Sequence, residues 1–477
     1  MGRRPEEAEG KPLADFNDCS HGQPHHPPEG SSVRLRCALH IGRVGPSMTQ
    51  AWTGGQYSLF RTVFGGYLFL HFVQLASYGA ERFPHVGALA DPATSPFYPI
   101  FPNPLFLCDT PAVVLGLIAL GIFASLAFAL GFRDRIAALV VWLVWACLFT
   151  RDPLISNHGT PFVAWLLLAH AAIPALPYGS WDARGRNDPN SDWTMPNSIY
   201  VIAWILMGVG YTYSGATKLL SPSWLEGTAL FDLLNSPLAR PTLLREAMLS
   251  MPESGGAIVT WGALGVQLLF APLALIRRLR PWLWLTLLVM QFALVALVDF
   301  PDLSAGMIFV HFFTFNPAWI APRVPTSTLD DHSDAVAMGP TIVFYDGACG
   351  LCHRTVRFLL AEDSDGRRFR FAPLDSDLFI ETCAVEGSGF EDGTTIPDSV
   401  LVHRPGRPLL VRTEGVLELG HQLGGLWRIG ATIAGWLPLP LLNAGYDFIA
   451  RVRHRLFTRP EDSCPLLPPD LRDRFSP

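Results

Sequence analysis

Residues 112–132 are AVVLGLIALGIFASLAFALGF, a run that contains no charged side chain. A helix needs about 20 predominantly apolar residues to cross the hydrocarbon layer of a membrane, and this run is long enough. Across the chain 49% of the residues are hydrophobic and 16% are charged, and soluble domains average roughly 25% charged residues. The composition therefore predicts an integral membrane protein whose partner is the lipid bilayer.

Other apolar segments repeat this pattern and predict a polytopic α-helical membrane bundle of about eight helices. The predicted spans are 58–79, 112–132, 136–150, 161–177, 199–216, 258–276, 282–298 and 303–316. Arginines follow every second span, and basic residues of short loops stay on the cytoplasmic side of a membrane. We therefore expect a multi-pass protein of the cell inner membrane, with the N-terminus and the C-terminal region in the cytoplasm.

The composition of the remaining segments predicts the domain organisation. Residues 1–50 are polar and rich in Pro, Gly, His and Arg, which predicts a disordered cytoplasmic tail. A membrane domain at 51–322 is followed by a polar linker at 323–339, a second domain at 340–468 and a tail at 469–477. The net charge of -6 and the pI near 6.2 give no basic surface for nucleic acid.

The second domain begins with a strand pattern at 341–345, followed by a helix pattern at 355–361 and strand patterns at 368–371 and 399–402. This order predicts a small α/β layer. The first strand leads into Asp346-Gly347-Ala348-Cys349-Gly350-Leu351-Cys352, which places Cys349 at the start of the helix. Backbone N–H groups there stabilise a thiolate, and Cys352 lies one turn along to resolve a mixed disulfide.

Two other sites fit the same cysteines. Cys349-x-x-Cys352-His353 also matches the attachment pattern of c-type haem, and any Cys-x-x-Cys pair can form half of a zinc site. Haem of this type is attached outside the cytoplasm, and the sequence offers no second Cys-x-x-Cys pair for zinc. Dithiol redox chemistry is favoured, and no metal is predicted.

The C-terminal region resembles the DCC family of predicted thiol–disulfide oxidoreductases. The resemblance rests on Phe344 to Gly347 with the cysteine pair, and on the basic segment from Tyr446 to Arg455 that continues to Cys464. It implies a thioredoxin-like domain that exchanges electrons with a cytoplasmic thiol or protein dithiol. By the same resemblance Asp346, Pro397 and Arg451 support the site, with Pro397 lying beside the dithiol as in thioredoxin-like proteins.

Lys218 ends the fifth predicted span, and Asn157 and His158 follow the third span on the same, non-cytoplasmic face. An ionisable residue beside an apolar span is costly and is a functional candidate by default. A desolvated lysine loses its proton more readily, and a neighbouring histidine can relay it, so Lys218 with His158 predicts a general base. The other interpretation is a lysine that extends from a helix end toward water, with a surface histidine.

The same residues resemble the HTTM family, whose animal members are the vitamin K-dependent gamma-glutamyl carboxylases. Besides Lys218-Leu219 and the Asn-His pair, the resemblance rests on Trp224, on Glu226-Gly227 and on Leu59-Phe60-Arg61 with Gly65. It implies that Lys218 deprotonates a reduced quinone of the vitamin K or menaquinol type with the help of His158. The residues implied at the quinone site are Asn157, Arg61, Tyr213 and Trp224. The large luminal domain of the animal enzymes has no counterpart here, so we do not expect carboxylation of a protein substrate.

The sequence thus predicts a membrane-bound redox protein that processes a lipid-soluble quinol and carries a thiol–disulfide oxidoreductase domain. In the alternative function, the helical domain is a non-catalytic anchor or lipid-binding scaffold for the oxidoreductase. Transport past Lys218 and His158 is a third interpretation, disfavoured because the sequence shows no inverted repeats.

Overall fold

The computed structural model describes most of the chain from residue 52 to residue 476. Within that range it does not describe residues 86–90, 92, 94, 156, 187–188, 190–191, 301, 321–338, 348, 387–399, 406–407 and 457–468. The predicted N-terminal tail, nearly all of the predicted linker, and both Pro397 and Cys464 lie outside the described residues.

The part of the chain before the linker is helical. Its α-helices are α1 Gly54–Ala76, α2 Gly79–Arg82, α3 Pro111–Leu130, α4 Asp134–Arg151, α5 Thr160–Ala172, α6 Asn197–Lys218, α7 Pro222–Glu226, α8 Ala229–Leu234, α9 Leu243–Leu249, α10 Glu253–Leu268, α11 Phe270–Ala274, α12 Arg280–Leu297 and α13 Asp302–Thr314. Each predicted span falls on one of these helices, and the sixth covers both α10 and α11. Among the described helices α1, α3, α6 and α12 are long and apolar enough to cross a membrane, and α5 and α13 are shorter apolar helices. The predicted membrane bundle is confirmed.

Local chemistry sets the ends of these helices. Proline occupies the first turn of α3, α5 and α12. Backbone N–H groups at this position have no acceptor within the helix, so the absence of one costs no hydrogen bond. Gly131 ends α3 with a φ of 74°, in the left-handed region that glycine adopts without strain. In the interior, Gly65 of α1 packs so closely on α3 that a Cβ atom would lie 2.7 Å from the Ala129 Cα atom. Small residues of this kind let membrane helices approach each other.

The part after the linker is an α/β domain. Its elements are β1 Thr341–Tyr345, α14 Gly350–Glu362, β2 Phe369–Pro373, α15 Asp377–Glu386, β3 Leu401–His403, β4 Leu410–Val411, α16 Arg412–Leu423, α17 Gly425–Ala434, α18 Leu439–Leu456 and α19 Pro469–Arg472. The sheet order is β2-β1-β3-β4, with β1 and β2 parallel and the other neighbouring pairs antiparallel. This arrangement confirms the predicted thioredoxin-like domain.

The C-terminal residues extend this sheet. Phe475 forms a parallel bridge with Phe371 of β2, and the Arg474 guanidinium binds the Asp363 carboxylate at 2.6 Å. Leu471 is buried in the core of the domain. Residues 471–476, which we expected to form a tail, therefore pack against the edge of the sheet.

Candidate functional sites

The two cysteines lie where the sequence predicts them, at the junction of β1 and α14. Cys349 is the N-cap of α14, and its carbonyl accepts a hydrogen bond from the His353 N–H at 3.1 Å. Both side chains are buried, with 1% of Cys349 and 2% of Cys352 exposed. Cys349 thus stands at the positive end of the helix with its partner one turn further along.

The surroundings of Cys352 favour its neutral thiol. Burial and the neighbouring Cys349 thiol raise the pKa of Cys352, although a backbone hydrogen bond from Asp346 and the charge of Arg453 act against this rise. Cys352 is therefore held as a neutral thiol more strongly than an exposed cysteine.

Asp346 and Arg451, both predicted to support the site, lie in different surroundings. Asp346 acts through its backbone, which bonds both Cys349 and Cys352. Arg451 is exposed on α18 and bonds the Asp447 carbonyl oxygen at 3.1 Å. Arg453, two residues further along α18, is buried, and its positive charge acts to lower the pKa of Cys352. The sequence pointed to the basic segment but did not show which arginine faces the dithiol.

Glu362, the last residue of α14, joins the two parts of the molecule, and no sequence pattern predicts this role. The Glu362 carboxylate accepts hydrogen bonds from the Gly55 N–H at 2.8 Å, the Thr53 hydroxyl at 2.5 Å and the Trp427 indole N–H at 2.5 Å. Burial raises the pKa of Glu362, although these hydrogen bonds oppose the rise. Since Thr53 is the N-cap of α1, the helix that begins at the dithiol ends on the first membrane helix.

Further contacts hold α14 against loops of the helical bundle. Tyr178 donates a hydrogen bond from its hydroxyl to the Arg354 carbonyl oxygen at 3.3 Å, and its ring lies 6.0 Å from the ring of Phe358. Arg357 donates a hydrogen bond to the Arg186 carbonyl oxygen. The dithiol helix is therefore packed against the membrane domain along much of its length.

Lys218 is half-buried at the end of α6 and binds neutral groups. Its ammonium donates to the Ser214 hydroxyl at 2.6 Å, to the Ser214 carbonyl oxygen at 3.3 Å and to the Gln267 side-chain oxygen at 3.0 Å. The Trp224 ring centroid lies 5.0 Å from the Lys218 Nζ atom. Lys218 and Trp224, both predicted at the quinone site, are thus brought together, and Gln267 of α10 joins them.

Buried polar groups inside the bundle also make hydrogen bonds close to this site. The Gln291 amide donates to the Tyr211 hydroxyl at 3.0 Å, and that hydroxyl lies 3.5 Å from the His311 Nε2 atom. Gln267 donates to the Met290 sulfur at 3.3 Å, next to Gln291 along α12. Polar side chains inside an apolar bundle are rare and mark functional candidates.

The other predicted quinone-site residues do not join Lys218 in the described structure. His158 is exposed in the loop before α5, and Tyr213 is exposed on α6. Asn157 lies in the loop before α5, where its side-chain oxygen accepts the Gly159 N–H at 2.7 Å. None of these residues is a hydrogen-bond partner of Lys218 among the described residues.

Arg61 belongs to a separate buried cluster near the N-terminal half of α1. Its guanidinium pairs with the Asp134 carboxylate at 3.3 Å, and His170 lies 3.6 Å from the same carboxylate. The Tyr57 hydroxyl shares a hydrogen bond of 2.5 Å with the other ring nitrogen of His170. The cluster joins α1, α4 and α5, so Arg61 holds helices together at this end of the bundle.

A second acidic–histidine pair lies near the opposite end of α1. His71 is buried 3.3 Å from the Asp302 carboxylate, which also accepts a hydrogen bond from the Tyr67 hydroxyl at 3.1 Å. Sequence reasoning missed this pair because its members lie more than two hundred residues apart.

Comparison with known families follows the same division of the chain. The HTTM domain model matches residues 53–319. The model described as DCC1-like thiol-disulfide oxidoreductase matches residues 343–459. The boundary between the two matches falls in the segment that joins the helical bundle to the α/β domain.

A curated relative supports the second match. The uncharacterized protein YuxK of Bacillus subtilis (strain 168) is 27% identical over 139 residues, which are 28% of this chain and 93% of YuxK. No solved structure matches the chain.

Proposed function

Because the chain belongs to the HTTM family and is a membrane redox protein with a DCC1-like thiol–disulfide oxidoreductase domain, we propose that its two parts carry two redox sites. In the cytoplasm, Cys349 and Cys352 exchange electrons with a thiol or a protein dithiol. In the membrane, Lys218 accepts a proton from a reduced quinone of the vitamin K or menaquinol type.

The observation that carries the first half of the proposal is the position of Cys349 at the N-terminus of α14, with Cys352 buried one turn away. The Cys349 thiolate attacks a substrate disulfide and releases one substrate thiol. Cys352 then attacks the mixed disulfide, so the protein gains a disulfide and the substrate leaves with both of its sulfurs reduced. Two electrons and two protons pass from the protein dithiol to the substrate.

Trapping of the mixed disulfide tests this half. The Cys352→Ser variant lacks the resolving thiol and should accumulate a covalent adduct with glutathione disulfide or a substrate protein at Cys349. The matched control is Cys383→Ser, which changes a cysteine of α15 in the same domain and should leave exchange intact. Peptide mass spectrometry locates the adduct, and an adduct on any residue other than Cys349 would contradict the assignment.

The second half is supported by the neutral surroundings of Lys218. An ammonium that binds a hydroxyl, a carbonyl and an amide oxygen can release its proton without leaving a carboxylate unpaired. The resulting amine is a base for a quinol hydroxyl, and the Trp224 ring offers a flat apolar surface for the quinone ring. Gln267 holds the Lys218 amine in place from α10.

Photolabelling tests whether a quinone binds there. A photoreactive quinone in lipid nanodiscs should label the segment from Lys218 to Trp224, and excess menaquinol should suppress the label. Gln267→Leu should weaken labelling, whereas the exposed change Glu414→Ala in the other domain should not. Labelling that is spread over the lipid-facing helices and resists competition would contradict a quinone site.

Two observations favour the anchor function instead. Lys218 bonds its own helix through Ser214, as a lysine at a helix end often does, and His158 does not join it. In that case the helical bundle positions the thiol oxidoreductase without chemistry of its own. Thiol exchange would then persist fully in Lys218→Ala, and no quinone would be labelled.

A further inference from the structure

The apolar face of α17 begins on the membrane bundle and continues beyond it. Leu426 and Ile429 pack against the hydrophobic core of the bundle. Ile433 continues the same helical face by its spacing, and Trp436 follows two residues after the end of α17. Both are exposed, with 79% of Trp436 accessible. A stripe that is buried against the membrane domain at one end is thus uncovered at the other.

The next helix adds to this uncovered surface. Leu441, Phe448 and Ile449 are exposed on α18, and their spacing of seven and eight residues places them on one side of the helix. Single exposed apolar residues are ordinary, but several large ones on adjoining helices mark a contact surface. We call residues 433–449 the apolar hairpin.

The apolar hairpin follows directly on a contact with the ends of two membrane helices. Gly425, the first residue of α17, packs against Pro317, just after the end of α13, and against Gln56 in the first turn of α1. Both are cytoplasmic helix ends in the proposed orientation. Trp282 is also exposed, two residues into α12 and at the same end. Exposed tryptophans at one level are typical of the boundary between lipid headgroups and acyl chains.

We propose that the apolar hairpin lies in the cytoplasmic leaflet of the bilayer, with Trp436, Leu441 and Phe448 among the headgroups and upper acyl chains. The partner is a phospholipid surface that is continuous with the lipid around the bundle. Arg451, exposed one turn beyond Phe448 on α18, is placed to meet anionic headgroups. The oxidoreductase domain is then held by two attachments, the Glu362 contact and the hairpin.

The consequence is a fixed height of the dithiol above the membrane. Because α14 and α18 pack in one domain, a hairpin that rests on lipid prevents rotation of the domain about the Glu362 contact. The thiol partner must then approach from the cytoplasm along the surface left free. The inference rests on the membrane domain spanning the bilayer and does not depend on quinol chemistry.

Site-specific fluorescence in the full-length protein tests the proposal. An environment-sensitive fluorescent amino acid replaces Trp436 in one variant and Leu441 in a second, and Glu414 of α16 in a control. The proteins are placed in nanodiscs of phosphatidylethanolamine and phosphatidylglycerol, with or without nitroxide-labelled lipid. Unchanged elution volume and thiol exchange show that each variant is folded.

We expect nitroxide lipid to remove most of the emission at positions 436 and 441 and little at 414, whereas aqueous acrylamide should quench mainly position 414. Efficient acrylamide quenching at all three positions would overturn the proposal. Positions 436 and 441 shielded from both quenchers would also overturn it, because protein would then cover the hairpin. Size-exclusion chromatography would distinguish a second copy from residues 1–51 as that cover.

Discussion

Removal of the Glu362 carboxylate should loosen the oxidoreductase domain from the membrane domain. Glu362→Ala leaves three donors without their acceptor, namely the Gly55 N–H, the Thr53 hydroxyl and the Trp427 indole. Two of these donors, on Gly55 and Thr53, belong to the membrane domain, whereas Trp427 lies in the same domain as Glu362. A buried donor left unpaired costs about 1–3 kcal/mol, so even the low end gives about 2 kcal/mol for the two donors that cross the contact. Since about 1.4 kcal/mol is tenfold in an equilibrium constant, docking should weaken about 30-fold.

Hydrogen exchange at the Gly55 amide measures this effect in the intact protein in nanodiscs. The amide is protected by Glu362 itself, so its exchange should accelerate by up to about 30-fold in Glu362→Ala. Gly55→Ala approaches the same contact from the membrane side, because its Cβ atom would lie 2.8 Å from the Glu362 Cδ atom. Both variants should behave alike, and the control Glu414→Ala should match the wild type. Unchanged exchange at residue 55 in Glu362→Ala would refute the view that this carboxylate holds the two parts together.

Three further changes test other parts of the structure. Burial raises the pKa of Glu362 above its ordinary value of 4.5, so the docked state binds more protons and docking should weaken as the pH rises through the docked pKa. Tyr178 is a second titratable group at this contact. This pH dependence, measured by quenching of a fluorophore pair across the contact, should vanish in Glu362→Gln. A pH dependence that persists in that variant would show that another group causes it. Asp134→Asn leaves the buried Arg61 charge without its partner and should cost about 3–5 kcal/mol, seen as a lower thermal midpoint in detergent, whereas the exposed change Asp299→Asn should have little effect. Arg453→Met removes the charge that lowers the pKa of Cys352 and should slow resolution of the mixed disulfide in stopped-flow assays, whereas Arg451→Met should not.

The sequence predicts elements that depend on local pattern. The apolar spans, the strand at 341–345 and the position of Cys349 at a helix start follow from hydrophobic periodicity and the Cys-x-x-Cys spacing, and the structure places them as expected. Contacts between residues distant in the chain leave no such pattern. In the sequence Glu362 is an ordinary polar residue at a helix end. It nevertheless binds Gly55, and the whole membrane domain separates the two residues along the chain. Arg451 and Arg453 are alike in sequence, and only the rotation of α18 decides which one is buried.

The same limit applies to the membrane site. Trp224 is near Lys218 in sequence and stays near it in space, whereas Gln267 reaches Lys218 from another helix and was not predicted. His158 belongs to a loop whose course no periodicity defines. Loop positions and helix rotations depend on packing of the complete bundle, which a single sequence does not display.

Turnover of reduced vitamin K with oxygen, by protein in nanodiscs, tests the proposed membrane chemistry most directly. Wild type should consume the quinol, Lys218→Ala should lose that activity, and Lys218→Arg should also lose it, because a guanidinium keeps the charge but does not act as a base at neutral pH. The Cys349→Ser, Cys352→Ser double variant shows in parallel whether the dithiol supplies electrons. Loss of turnover in both Lys218 variants would support proton abstraction by this lysine, and turnover equal to wild type in Lys218→Ala would contradict it.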